Sequence, residues 1–221
     1  MKGFDDPAAV ARYADNPPRL VPGFVDLQRM TRLLLAEAAP AGSRILVVGA
    51  GGGLELREFA AAEPGWLFVG VDPSAEMLKL AAMTVGPLAD RVELHEGYIH
   101  TAAEGPFDGA SCLLTLHFVP WEERLATLIE IRRRLKPGAP LVVAHHSIAN
   151  GLKRQIWLDR FASFAADNGV VIDRAEGARS LGERLPILTP EAEVALLHQA
   201  GFNDVELFYA ALTFRGWVAR A

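Results

Sequence analysis

The sequence predicts an α/β fold with a seven-stranded, mostly parallel sheet that carries helices on both faces. Short apolar runs rich in β-branched residues alternate with segments of helical periodicity, which is the pattern of parallel strands joined by crossover helices. One such run ends at Gly49, Gly51 and Gly53, and the next ends at Asp72. The last two runs are joined too closely for a crossover, so we expect the last strand to be antiparallel.

Length and composition indicate a single domain over residues 1–221. Hydrophobic residues make up 51% of the chain, which is enough for a sizeable core. A net charge of −5 and a pI of about 5.7 provide no basic field to attract a nucleic acid. One cysteine, Cys112, agrees with a reducing compartment, and no apolar run approaches membrane-spanning length. We therefore expect a cytoplasmic monomer or homodimer that uses neither a membrane nor a nucleic acid as partner.

The first part of the chain predicts an N-terminal helical cap over residues 1–38. A short helix over 5–14 and a longer helix over 23–38 flank a proline-rich, non-helical hinge over 16–23. The longer helix places apolar side chains at helical spacing, at Leu27, Met30, Leu34 and Ala38.

The sheet follows from the alternating patterns. The predicted strands cover residues 44–48, 66–71, 91–95, 107–114, 140–145, 204–210 and 212–219. The predicted helices between them cover 52–62, 74–84 and a segment from Trp121 to Leu135. Cations at a helix C-terminus oppose the helix dipole, so we interpret four basic residues there as a solvated helix end: Arg132, Arg133, Arg134 and Lys136.

Residues 148–186 interrupt the alternation and form a predicted helical insertion before the last helix. A helix over about 151–166 is followed by a less regular piece. Since ligands bind at the carboxyl ends of parallel strands, we expect the insertion to cover the site as a lid or to extend as a dimer arm. Thr189 and Pro190 then begin the last helix as its cap and first residue, and Gly201 ends it.

The glycine turn indicates the class of cofactor. Glycines let the backbone approach a ligand, and a carboxylate such as Asp72 can accept both hydroxyls of a ribose. The dinucleotide fingerprint needs its third glycine where Leu54 stands, whereas Gly49, Gly51 and Gly53 give G-x-G-x-G. This spacing favours a nucleoside cofactor that places no phosphate at the turn. The alternative is a glycine-rich turn without a ligand, and the acid on the second strand would then be a coincidence.

These motifs resemble the first two motifs of the class I S-adenosylmethionine (SAM) methyltransferases, whose fold is Rossmann-like. The segment from Leu135 to Gly138 is similar to that family's turn into strand five, and Phe107-Asp108 is similar to the start of strand four. The order of elements matches over residues 19–221. Three stretches look closer to one branch, the carboxy-SAM synthases of tRNA wobble-uridine modification: 23–53, 114–120 and 188–219. The resemblance implies an enzyme that moves a methyl group from SAM to a small-molecule acceptor by in-line displacement.

The resemblance also assigns cofactor-binding residues to each part of SAM. The methionine and ribose would be lined by Gly49, Ala50, Gly51 and Gly53. The ribose hydroxyls and the adenine would be held by Asp72, Pro73, Met77, Gly97, Tyr98 and Ile99. The methionine side would be closed by Leu114 and Thr115, and Arg19 matches a position that can hold the cofactor carboxylate.

Some positions depart from the family pattern. Val47 stands where the family usually has an acid, and Tyr98 stands where an acid often contacts the adenine amino group. The carboxy-SAM branch has an aromatic hydroxyl where this chain has Phe24, whereas Arg179 matches that branch's carboxylate-binding arginine. A hydrogen bond to a charged group is worth roughly 1.5–3 kcal/mol, so the missing hydroxyl favours SAM itself as the cofactor.

The candidate catalytic residues are placed near the same edge of the sheet. A general base is needed only if the acceptor carries a proton, and His117 and His145 follow or end strands there. Adjacent strand residues face opposite sides, so at most one of His145 and His146 should face the pocket. Tyr13, on the first helix, would close over the methyl group and touch the substrate. The rest of the acceptor pocket would be formed by His117, His146, Trp157 and Arg179, and the sequence predicts no metal site.

Three alternatives stay open at this point. A carboxy-SAM synthase-like enzyme shares the fold and is favoured by Arg179 but opposed by Phe24. An NAD(P)-dependent oxidoreductase is opposed by Leu54. A non-catalytic SAM-binding protein is kept open by Val47 and Tyr98.

Overall fold

The computed structural model describes residues 15–170 and 181–221, and these contain a single seven-stranded sheet. The strands are β1 (Arg44–Val48), β2 (Leu67–Asp72), β3 (Val92–Glu96), β4 (Gly109–Leu113), β5 (Pro140–His146), β6 (Asn203–Ala211) and β7 (Phe214–Arg220). Their order across the sheet is β3-β2-β1-β4-β5-β7-β6. β1 to β5 pair in parallel, and β7 pairs antiparallel with both β5 and β6. The predicted mostly parallel sheet with an antiparallel last strand is confirmed.

Seven α-helices are described with both ends defined. They are α1 (Pro17–Leu20), α2 (Phe24–Ala36), α3 (Leu54–Ala62), α4 (Ala75–Val85), α5 (Trp121–Arg133), α6 (Lys153–Asp167) and α7 (Pro190–Gln199). The predicted helix bounds agree with these to within about two residues. α7 begins as expected, because the Thr189 side chain accepts a hydrogen bond from the Ala192 amide and Pro190 occupies the first turn.

The N-terminal cap differs from the prediction in one respect. The hinge over residues 16–23 was expected to be non-helical, but Pro17–Leu20 form one helical turn. Proline is tolerated in the first turn of a helix because its missing N–H has no intrahelical acceptor there, so the two prolines begin this turn without breaking it. The predicted helix over 5–14 lies outside the described residues.

Alternation along β1 divides the core between the two faces of the sheet. Ile45 and Val47 belong to a cluster with side chains of α2, α3 and α4, such as Phe59. Leu46 and Val48 belong to a second cluster, with side chains of α5 and α7. Because neighbouring residues of a strand point to opposite faces, helices cover both sides, and the carboxyl ends of β1 and β2 emerge between the two layers.

Arg132, Arg133 and Lys136 are exposed at the end of α5, as predicted for a solvated helix end, but Arg134 is not. This side chain is fully buried, and its guanidinium donates hydrogen bonds to the carbonyls of Ala102 and Ala103, both at 3.3 Å. It also forms an ion pair with Glu130 one turn earlier. A guanidinium with five donors in a rigid fork can satisfy several carbonyls at once, so Arg134 fastens α5 to the segment that follows β3.

The insertion packs its main helix against the end of β5. In α6, Leu158 and Ala162 form a small core with Ile148 and Ile187. One turn away, the Phe161 ring lies 5.1 Å from the His146 ring, edge to face. α6 therefore rests on the carboxyl edge of the sheet, while its role as a lid or a dimer arm stays a prediction.

Candidate active site

The glycine turn after β1 is shaped by contacts within the fold as well as by any ligand. Gly49, Gly51 and Gly53 all have positive φ, at 74°, 50° and 79°. A Cβ on Gly49 would lie 2.0 Å from Oγ1 of Thr115, and a Cβ on Gly53 would lie 2.7 Å from the Ala81 backbone. Two of the three glycines are thus required by packing and backbone conformation alone.

Asp72 joins this turn to the end of β2. Its Oδ2 accepts a hydrogen bond from the Gly51 amide at 2.9 Å, and its Oδ1 accepts one from the Ser74 amide at 3.0 Å. Partial burial raises the pKa of Asp72, and the two amides offset part of that rise. A carboxylate oxygen accepts more than one hydrogen bond, so both oxygens can still receive a hydroxyl. The predicted arrangement of turn and acid is present.

The residues predicted to contact adenine gather beside Asp72. The Gly97 amide donates to the Asp72 carbonyl at 3.0 Å, and Gly97 has a φ of 148°. Met77 and Ile99 are buried at this edge, and Pro73 connects Asp72 to the start of α4. Tyr98 is 59% exposed, and its ring lies parallel to that of His100 with centroids 6.0 Å apart. Tyr98 thus presents its ring at the surface of the site.

The predicted methionine side forms around the end of β4. Leu114 has a φ of 54°, a strained conformation for a leucine, and its amide donates to the Ala144 carbonyl at 2.6 Å. Thr115 donates from its hydroxyl to the Leu113 carbonyl at 2.8 Å. Arg19 is exposed on α1. A cavity of about 30 Å³ lies between these elements, lined by Pro17, Phe24, Gln28, Gly49, Ala50, Gly52, Leu54, Glu55, Leu113 and Leu114.

Glu55 is a charged residue of this cavity that sequence reasoning missed. It lies in the first turn of α3 and is 7% exposed. Among the described residues its Oε1 has no hydrogen-bond partner, and burial raises the pKa of Glu55 to about 8. An acid in the first turn of a helix is ordinarily a favourable surface residue, so the sequence carried no distinctive signal of its burial.

The three candidate histidines form a buried cluster. The amide of His146 donates to Nδ1 of His117 at 3.3 Å, and Nδ1 of His146 lies 2.8 Å from Oγ1 of Thr213. Burial lowers the pKa of His146 to about 3 and holds the pKa of His117 well below its ordinary value. A backbone amide can only donate, so the neutral His117 ring carries its proton on Nε2. In this arrangement His117 offers a donor at Nε2, and its predicted role as a base would require a different hydrogen bond.

His145 faces the other side of β5, as strand alternation predicts. Its Nε2 lies 3.1 Å from Oε1 of Glu193, and its ring is 5.8 Å from Trp217. Glu193 also forms an ion pair with the fully buried Arg124 at 2.7 Å, and Arg124 donates to the carbonyl of Pro186. This network, which sequence reasoning also missed, ties α5 and α7 to the end of the insertion. It places His145 beside the buried ion pair of Arg124 and Glu193.

The remaining predicted substrate residues are only partly described. Trp157 lies on α6 with the Arg160 guanidinium 4.5 Å above its ring. Tyr13 and Arg179 lie outside the described residues. A larger cavity of about 490 Å³ follows the outer surface of α6, lined by Ile156, Asp159, Arg160, Ser163, Phe164, Asp167 and Leu212, and it shares no residue with the cavity at the glycine turn.

Neither a metal cluster nor a membrane helix occurs in the part of the chain that the structure describes. No group of three or more histidine, cysteine, aspartate or glutamate side chains there is arranged to hold a metal ion. Over residues 15–170 and 181–221, every helix is too short or too polar to cross a bilayer.

Comparisons with known proteins agree with this geometry. The family model of a methyltransferase domain matches residues 45–138, which include the glycine turn and Asp72. A curated relative from Chromohalobacter salexigens, named carboxy-S-adenosyl-L-methionine synthase, is 27% identical over 97% of this chain and 82% of its own length. Relatives from Hahella chejuensis and Geobacter metallireducens, 24% and 29% identical, carry the same name.

Solved structures show the same fold at lower identity. A SAM-dependent methyltransferase from Aquifex aeolicus has a TM-score of 0.66 at 19% identity, with 97% of this chain and 98% of that chain covered. Human N-acetylserotonin methyltransferase, solved with SAM, has a TM-score of 0.63 at 16% identity and covers 98% and 57% of the two chains. Residues 45–138 thus match the family model of a methyltransferase domain, within a chain that has the fold of SAM-dependent methyltransferases.

Proposed function

We propose that this protein binds SAM at the glycine turn and transfers its methyl group to a small-molecule acceptor. The observation that carries the proposal is the position of Asp72, whose two oxygens are fixed by the Gly51 and Ser74 amides at the carboxyl edge of the sheet. A carboxylate held in this way is preorganised for a vicinal diol, because neither oxygen has to be ordered when the ligand binds.

Three groups of described residues would each contact a different part of the cofactor. Asp72 would accept the ribose hydroxyls, and Met77 and Ile99 would offer their buried side chains to the adenine. The open backbone of Gly51 would let the ribose and methionine approach the turn. Leu114, which has a left-handed conformation and donates a hydrogen bond from its amide to the Ala144 carbonyl, would limit the methionine side.

When bound, SAM supplies a methyl group on a sulfonium, which is already a good electrophile. The protein therefore has to align the acceptor with that methyl group and exclude water, and such orientation can supply about 7–11 kcal/mol. Because α6 packs over the end of β5, it would help to exclude water from this edge of the sheet. The Nε2 proton of His117 is available to hold an acceptor oxygen or nitrogen in line.

Net charge and the single cysteine bear on the partners and the location of the protein. We infer a small-molecule acceptor and a cytoplasmic enzyme, monomeric or homodimeric, because the net charge of −5 gives no field for a nucleic acid and Cys112 is buried and free.

Isothermal titration calorimetry with S-adenosylhomocysteine tests the proposal. The wild-type protein is expected to bind it, and Asp72→Asn is expected to bind it about 10- to 100-fold more weakly, because a charged acceptor for the diol is lost. NADH serves as the competing dinucleotide and should give no heat. Equal binding by wild type and variant, or heat only with NADH, would contradict the proposal. Transfer of labelled methyl from SAM to an acceptor pool distinguishes an enzyme from a non-catalytic binding protein.

A carboxy-SAM synthase-like activity is the second candidate. The relatives that carry this name align with nearly the whole of this chain, beyond the matched domain. Against it, the hydroxyl expected at Phe24 is missing, and Phe24 lines the small cavity with an apolar ring. Mass spectrometry of the cofactor that copurifies decides between the two: SAM or its demethylated product supports methyl transfer, and carboxy-SAM supports the second candidate.

A further inference from the structure

Glu55 is a buried acid with one unpartnered carboxyl oxygen at the cavity beside the glycine turn. Its side chain comes from the first turn of α3 and lines the cavity together with Gly49, Ala50 and Leu114. It is 7% exposed, and its Oε1 has neither solvent contact nor a hydrogen-bond partner among the described residues. Most buried polar atoms are satisfied, so a carboxyl oxygen in this state is an exception that needs a physical reason.

The surroundings of Glu55 contain no positively charged partner for its carboxyl group. Ser111 on β4 lowers the pKa of Glu55 against the larger effect of burial, and no lysine, arginine or histidine among the described residues lowers it. Cys112, also on β4, cannot supply a positive charge because it is a thiol. Burial raises its pKa, and Glu55 raises it further. Gln28, which also lines the cavity from α2, is uncharged. The Glu55 carboxyl could therefore pair with one cation, and the described residues around it do not provide that cation.

The size of the cavity limits what that cation can be. Its volume of about 30 Å³ corresponds to a group no larger than one or two water molecules. A primary ammonium group fits, whereas a guanidinium or an imidazolium does not. The neighbouring backbone at Gly49 and Leu114 lies on the side where the amino-acid end of the cofactor is proposed to bind.

We propose that Glu55 is the counter-ion of the primary ammonium group at the amino-acid end of the cofactor, an inference that rests on the proposed function. Val47, the position where the resemblance would place an acid, pairs in register with Ser111, and Ser111 lies against Glu55. The chain thus brings a carboxyl group to this region from α3 rather than from β1. Glu55 is a binding residue in this account and takes no part in the transfer of the methyl group.

Binding through Glu55 is coupled to the loss of one proton. With the cavity empty, the Glu55 carboxyl is neutral at pH 6.5, because burial raises its pKa to about 8. An ammonium group stabilises the ionised form, so the proton leaves when the ligand enters. Affinity should then increase about tenfold from pH 6 to pH 7, since the ligand amine stays protonated until about pH 8.

The experiment compares ligands with and without the ammonium group on three proteins: wild type, Glu55→Gln and Glu58→Gln. S-adenosylhomocysteine and decarboxylated SAM carry the ammonium group, and 5′-methylthioadenosine does not. Glu55→Gln should weaken the two amines about 10- to 100-fold and leave 5′-methylthioadenosine within about twofold. Glu58→Gln, the same chemical change on a more exposed residue of α3, should leave all three unchanged.

Calorimetry at pH 6.5 in two buffers of different ionisation enthalpy gives the second readout. Wild type should release about one proton when S-adenosylhomocysteine binds, and Glu55→Gln should release close to none. The pKa of Asp72 is also raised, so 5′-methylthioadenosine measures its separate contribution.

The outcomes separate the two hypotheses. If Glu55→Gln binds the amines as wild type does, or weakens all three ligands alike, the role of Glu55 is overturned while the SAM site stands. If wild type binds none of the three ligands, the proposed function fails and the role of Glu55 fails with it.

Discussion

The carboxylate of Asp72 and the amide of Gly51 lie 2.9 Å apart, so a single hydrogen bond joins the end of β2 to the turn after β1. This contact, together with the bond to Ser74, belongs to the fold before any ligand is bound. The same side chain that is proposed to hold the ribose therefore also holds the glycine turn in shape.

Asp72→Ala should consequently lower stability in the absence of cofactor. Two backbone amides lose a charged acceptor, and we expect a loss of about 1.5–3 kcal/mol in the free energy of unfolding. Urea unfolding at pH 7 measures it, with Asp90→Ala as an exposed control that should cost less than about 0.5 kcal/mol. Equal effects of the two substitutions would show that Asp72 has no structural role.

Glu55 should make the protein less stable as pH rises. Its folded-state pKa of about 8 lies above the unfolded value of 4.5, so between these values the folded state holds a proton that the unfolded state has released. The stabilising effect of that proton is complete below pH 4.5 and is lost as pH increases toward 8. At pH 8 we expect Glu55→Gln to be more stable than wild type, by roughly 2–4 kcal/mol.

Denaturant titrations from pH 5 to pH 9 check this expectation. Glu58→Gln is again the matched control, because it changes the same group on the same helix where the side chain is 34% exposed. A pH profile of wild type that matches that of Glu55→Gln would contradict a buried, neutral Glu55.

The buried histidines should make the protein less stable as pH falls. The pKa of His146 is about 3 in the folded state and near 6.5 in the unfolded state, so between these values the unfolded state binds the additional proton. Stability is therefore complete above pH 6.5 and falls as pH decreases. At pH 5 the penalty for keeping His146 neutral is about 2 kcal/mol.

His146→Asn should reduce this acid sensitivity, because asparagine can keep a hydrogen bond to Thr213 without titrating. The slope of unfolding free energy against pH between 6.5 and 4 should decrease by about one proton. His100→Asn, at an exposed position, should leave the slope unchanged. An unaltered slope in His146→Asn would show that the ring is protonated in the folded protein.

Arg124 and Glu193 should be strongly coupled. Both side chains are almost fully buried and 2.7 Å apart, so Glu193→Leu leaves a buried cation and should cost about 3–5 kcal/mol. The double variant Arg124→Met/Glu193→Leu should cost less than the sum of the two single changes. A double-mutant cycle by urea unfolding measures this coupling, and additive costs would mean that the ion pair contributes nothing.

The fold could be predicted because the strand, turn and helix-cap patterns of consecutive segments all indicate the same α/β arrangement. The apolar run at 44–48, the turn glycines and the strand that ends at Asp72 are consecutive elements of one strand–helix–strand unit, so their relation in space follows from the rules of parallel sheets. The helix start at Thr189 and Pro190 was confirmed for the same reason, since a cap depends on residues three positions apart.

The parts that were missed depend on contacts distant in sequence. Arg134 was placed in solvent because its cation suits a helix end, whereas carbonyls of residues 102 and 103 surround it. The pair of Arg124 and Glu193 joins residues 69 positions apart. Glu55 was passed over because an acid at a helix start is ordinary, and only its burial against β4 distinguishes it. No periodicity or spacing contains this information.

The position of β7 has a consequence for the growing polypeptide. β7 lies between β5 and β6, although it follows both in sequence. Until residues 214–220 have left the ribosome, the long hydrogen-bonding edge of β5 stays open and β6 has no strand to join. A chain stalled before that point would present an unpaired apolar edge, and we expect such nascent chains to depend on holdase chaperones more than the finished protein does.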